Sequence, residues 1–108
     1  MDNRHRRARE KKDTPLTLDE LKWNGNVGKV FNYLGSMRAD NPEDAIGIMT
    51  VSEKLEMPLS DINYAMHRLC VSGLGDKDSG FLYLTPDRGM RAYTALQDLK
   101  KILESSAQ

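Results

Sequence analysis

One cysteine, Cys70, stands among 108 residues, so the chain holds no internal disulfide and no cysteine cluster for a metal. The two histidines, His5 and His67, stand far apart and offer no ligand pair. That cysteine usage fits a reducing, cytoplasmic compartment. No apolar run approaches the ~20 residues a membrane-spanning helix needs, and MDNRHRRAREKK at the start lacks the apolar stretch of a signal peptide. No membrane partner is expected. Gly-rich phosphate loops, HExxH, CxxC and nucleophile-elbow patterns are absent too. The Asp and Glu residues are scattered over polar stretches, with no apolar pocket to raise a carboxyl pKa. Catalysis is therefore not expected, and no cofactor is implied. The length allows one modest core with tails, without room for a separate catalytic domain.

Net charge is also missing, but only in sum. Arg4, Arg6, Arg7, Arg9, Lys11 and Lys12 against Asp2 and Glu10 give residues 1–12 a balance of +4, which leaves −4 for residues 13–108. Residues 1–15 read as a disordered basic arm: either a solubilising tail, or a segment that contacts phosphates or enters a minor groove. The folded unit is expected over 16–104. Its acidic balance runs against the basic face usual for DNA-binding domains.

Periodicity and punctuation divide that unit. Thr17-Leu18-Asp19-Glu20 has the capping-box pattern and predicts a short helix to Asn24-Gly25, with Leu18, Leu21 and Trp23 inward. Val27, Val30, Phe31, Leu34 and Met37 mark one stripe of a helix over 26–39, ended by Asn41-Pro42. Ile46 to Met49 reads as a first strand. Thr50-Val51-Ser52-Glu53 is a second capping box, opening a helix that Pro58 breaks. Ser60 is a good N-cap for a helix over 61–72, stopped by Gly73. A hairpin pairs 74–77 with 81–84 around Asp78-Ser79-Gly80. Thr85 and Pro86 then open a last helix, 86–104.

On the 61–72 helix, Ile62, Met66 and Leu69 fall on one face, with Ala65 and Cys70 at its margins. Ser60, Tyr64, His67, Arg68 and Val71 are expected to point outward, with Asn63 on the flank. Arg68-Leu69-Cys70-Val71-Ser72-Gly73-Leu74 looks like the RLxxxGL exit from a recognition helix into a wing. Leu84-Thr85-Pro86-Asp87-Arg88-Gly89 looks like the LTxxG step from wing to C-terminal helix. In this order the segment resembles the winged helix-turn-helix of MarR-, PadR- and ArsR-like transcriptional regulators, over roughly residues 26–104. The resemblance implies an α+β, mainly α fold with a small antiparallel sheet and a long C-terminal helix.

It also implies a role. The protein would bind double-stranded DNA as a homodimeric transcriptional regulator, repressing by steric occlusion, with its recognition helix in the major groove. Arg68 would then bind guanine or phosphate, Asn63 adenine, and Ser60 or Tyr64 phosphates, with His67 on the same face. Lys77, between Asp76 and Asp78, is the only cation of the hairpin; family wings usually carry Arg or Lys at the tip, so the arm (Arg4, Arg6, Arg7, Arg9) could substitute. Leu96, Leu99, Ile102 and Leu103 lie farther along the last helix than the core needs, and read as the dimer interface. Met90 and Tyr93 serve the core. Cys70 reads as a small buried hydrophobe rather than a redox sensor. Two other functions fit the same residues: a winged-helix module that binds protein, suited to the −4 balance, or an architectural protein whose arm binds nucleic acid without sequence choice.

Overall fold

The computed structural model describes residues 14–22 and 25–106. After a 3-10 turn at Asp19–Leu21 come helix α1 (Asn26–Ser36), strand β1 (Ile46–Gly47), α2 (Ile48–Leu55), α3 (Leu59–Val71), β2 (Gly75–Asp78), β3 (Phe81–Leu84) and α4 (Arg88–Ser106). The architecture is α+β and mainly helical, with one three-stranded antiparallel sheet in the order β1-β3-β2. Among the described residues no helix is long and apolar enough to cross a membrane.

α1 forms where Val27, Val30, Phe31 and Leu34 repeat at helical spacing, and all four are buried. It stops earlier than its apolar stripe suggests. Arg38 takes a left-handed conformation (φ 55°), and the Ala39 N–H donates to the Leu34 carbonyl at 3.0 Å. This six-to-one bond closes the last turn and leaves Met37 exposed rather than on the core stripe. The same closure ends α3. Gly73 (φ 73°) donates to the Cys70 carbonyl and Leu74 to that of Leu69, at 3.0 and 2.9 Å. Glycine suits that left-handed position because it has no Cβ to clash.

Two expected helix starts are corrected. α2 opens at Ile48, so Thr50-Val51-Ser52-Glu53 lies inside the helix and caps nothing. The cause is the sheet. Ile48 N–H bonds the Gly80 carbonyl at 2.9 Å, so β1 passes straight into α2 after two residues, and Val51 is carried into the core. Ser60 is not an N-cap either: α3 starts at Leu59, and the Pro58 carbonyl accepts from Asp61 and Ile62. The expected helix of 17–24 is reduced to the 3-10 turn, with Leu18 exposed; Trp23 falls outside the described residues.

The β2–β3 hairpin turns on two residues with positive φ, Ser79 (52°) and Gly80 (85°), in the sense that matches the twist of paired strands. Leu82 and Leu84 point inward and complete a core built on Phe31, Leu34, Ile62, Met66 and Leu69. Thr85 then does cap the last helix, its Oγ1 accepting from Gly89 N–H at 2.8 Å. Gly89 must be glycine for a packing reason. A Cβ there would sit 2.1 Å from the Leu74 carbonyl oxygen. Replacing Gly89 with Ala is expected to lower the unfolding free energy by about 1–3 kcal/mol through overpacking. Gly47→Ala, at a site with only ordinary contacts, serves as control and should stay within about 1 kcal/mol. Urea midpoints at constant m-value measure both.

Candidate nucleic-acid interface

α3 divides its side chains between core and solvent by its 3.6-residue period. Ile62, Ala65, Met66 and Leu69 are fully buried. Ser60, Asn63, Tyr64, His67 and Val71 are exposed, in steps of three and four residues that form one row. The row runs roughly 16 Å along the helix at ~1.5 Å per residue.

Arg68 does not belong to it. This corrects the expected outward position: the side chain is 1 % exposed. On α3 alone Arg68 would face water beside Asp61 and Ser72, but residues 14–21 cross that flank and cover it. Its guanidinium meets Glu20 in a two-pronged pair, Nε to Oε2 and Nη2 to Oε1, both 2.8 Å. Nη1 donates to the Thr14 carbonyl at 2.8 Å, and Nη2 also reaches that of Pro15 at 3.4 Å. Leu16 N–H donates to Ser72 Oγ at 2.7 Å, pinning the same strap to the end of α3.

The capping box prepares the acceptor. Thr17 N–H donates to Glu20 Oε1 at 3.2 Å, and Glu20 N–H returns a bond to Thr17 Oγ1 at 3.3 Å. The carboxylate is thus aimed before Arg68 reaches it. Arg68 and then Thr17 hold the Glu20 pKa down to about 2 from its ordinary 4.5, against the opposing effect of burial. Glu20 was the functional residue hardest to assign from sequence. Its only signal was a capping box on a segment too short to need one.

The strap has a geometric consequence. Because Thr14 is held on Arg68, the chain before it departs from the side of α3, one helical position from His67 in the outward row. Arg4, Arg6, Arg7 and Arg9 lie outside the described residues. On the hairpin Lys77 is exposed, and its own N–H bonds Asp76 Oδ1 at 2.8 Å. Tyr83 shares that carboxylate across the strands, its hydroxyl donating to Asp76 Oδ2 at 3.4 Å. Cys70 is half-buried, and burial followed by Asp76 pushes its thiol pKa up, away from thiolate reactivity.

The expected dimer residues separate. Leu96 is half-buried against the protomer's own core, which corrects its assignment to an interface alone. The cause is that α4 keeps contact with α1 one turn beyond Tyr93, through Gln97 and Asn32. Leu99, Ile102 and Leu103 are 41, 61 and 54 % exposed.

No protein-family model, curated protein or solved structure matches the chain.

The Glu20–Arg68 pair makes stability depend on pH in a defined window. Since folding lowers the Glu20 pKa, the ionised pair stabilises the fold above pH 4.5 and its contribution is lost as pH falls toward about 2. Glu20→Gln is expected to cost about 1–2 kcal/mol at pH 7. The gap to wild type should narrow through that acid range, as followed by urea unfolding; a gap independent of pH would exclude the ionic origin.

Proposed function

We propose that the chain is a winged-helix DNA-binding domain of a transcriptional regulator, with α2 and α3 as the helix-turn-helix and β2–β3 as the wing. The reading is supported by the order α1-β1-α2-α3-β2-β3-α4 with β1 paired to β3. The observation that carries it is the exposed polar row on α3, flanked by the root of a +4 arm. A major groove about 12 Å wide admits such a helix. Asn63 is suited to the paired donor and acceptor of adenine, His67 to base or phosphate, and Ser60 and Tyr64 to phosphate oxygens. With Arg68 engaged in the strap, α3 itself offers no Lys or Arg to the backbone. Counterion-releasing contacts then fall to the arm, with Lys77 as a lesser contributor between two carboxylates. A domain of this size represses most simply by occupying a promoter.

The second reading is a protein-binding module of the same shape. The burial of Arg68 favours it, as does the pair Asp76 and Asp78 on the hairpin, because both reduce attraction to phosphate. Duplexes enriched from a random pool distinguish the two when scored by fluorescence anisotropy. Asn63→Ala with Tyr64→Ala should weaken binding to the enriched site by ~1–3 kcal/mol for each base no longer read. Thermal stability should move by no more than ~0.5 kcal/mol, since both side chains are exposed. Deleting residues 1–12 should weaken all duplexes alike and flatten the salt dependence by about 0.9 for each phosphate the arm neutralises. If no duplex binds even at low salt, the protein-binding module is the correct reading. Arm-dependent binding that ignores both sequence and the α3 substitutions would indicate an architectural protein instead.

A further inference from the structure

α4 rests on α1 along one side. Tyr93 meets Phe31 edge-on with ring centroids 6.1 Å apart, and Gln97 Nε2 donates to Asn32 Oδ1 at 2.8 Å. Roughly a third of a turn from that side, Arg88, Ala92, Ala95, Leu99 and Ile102 follow in alternating steps of four and three residues. Those steps make a straight seam of the kind that pairs two helices. The seam is small at its beginning, with Ala92 and Ala95, and large at its end, with Leu99, Ile102 and the adjoining Leu103. These three large side chains are uncovered in the protomer.

We propose that a second copy of this chain covers this face, with the two α4 helices antiparallel and crossing near Ala95. Size decides the direction. A parallel pair would set Leu99 against the partner's Leu99 and leave Ala92 facing the partner's Ala92 across a gap, which close packing disfavours. An antiparallel pair lays the partner's Leu99 and Ile102 on Ala95 and Ala92, large on small throughout. Charge agrees. Arg91 and Asp98 are exposed on the same flank of the seam, one heptad apart. Antiparallel pairing turns each toward its opposite on the second copy, whereas parallel pairing would set like charges side by side.

The rest of the surface supplies the remaining complement. An open groove of about 560 Å³, walled by Leu18, Val71, Leu74 and Arg88, lies at the beginning of the seam. The partner's Leu103 arrives at that end. A single two-fold operation therefore covers both the stripe and the groove of each copy, as an isologous interface requires. The pairing stands independently of DNA binding.

Light scattering at tens of micromolar should give a dimer. Leu99→Glu with Leu103→Glu should give a monomer with unchanged far-UV circular dichroism and a dimer dissociation constant raised by at least about 100-fold. Direction is read by spin labels on Ser105→Cys in a Cys70→Ser background. Antiparallel helices crossing at Ala95 hold the two labelled positions about 30 Å apart, at ~1.5 Å per residue. Parallel helices would hold them at roughly 10 Å. A monomeric wild type overturns the proposal. So does a label separation near 10 Å, or a double variant that unfolds, since the stripe would then belong to the protomer's own core.

Discussion

A guanidinium that is 1 % exposed has to be neutralised where it stands, and the N-terminal strap exists in the form that neutralises Arg68. Removing such a group from water costs several kcal/mol unless paired charge and hydrogen bonds replace the lost hydration. Here one carboxylate and two backbone carbonyls do so, and among the described residues no buried side-chain nitrogen or oxygen is left without a partner. Glu20 can serve because Thr17 already holds it. Thr14 and Pro15 can serve because Leu16 is tied to Ser72. Once those bonds are made, residues 14–21 have one course across the flank of α3.

That course sets the character of the outward face. It withdraws the helix's one Lys or Arg from solvent and leaves a row of uncharged polar groups and His67. It also starts the basic residues 1–12 next to that row. Positive charge is thereby moved off the helix and onto the arm. On the proposed reading, base contacts and phosphate contacts then come from different segments, so affinity and sequence choice should be separable by mutation.

Much of this fold was legible in the residues themselves. The stripe of Val27, Val30, Phe31 and Leu34, the face of Ile62, Met66 and Leu69, the hairpin turn and the Thr85 cap all act through local spacing and turn chemistry. Where local spacing misled, a distant partner decided. Ile48 entered α2 because Gly80, across the sheet, takes its N–H. Leu96 turned inward because Asn32 on α1 holds the Gln97 turn. Arg68 looked exposed on its own helix because Glu20, 48 residues earlier, is invisible to helical periodicity. The outward assignment of Ser60, Asn63, Tyr64 and His67 needed nothing beyond the period of α3, and it matches their exposure.

The central claim is that the α3 row and the arm meet one duplex together. Amide chemical shifts of labelled protein, titrated with an enriched duplex, test this most directly. The account predicts perturbations at Ser60, Asn63, Tyr64 and His67 that saturate at the same duplex concentration as those in residues 1–12, with Leu99 to Leu103 unaffected. Perturbations confined to residues 1–12, with the α3 row unmoved at saturation, would contradict it.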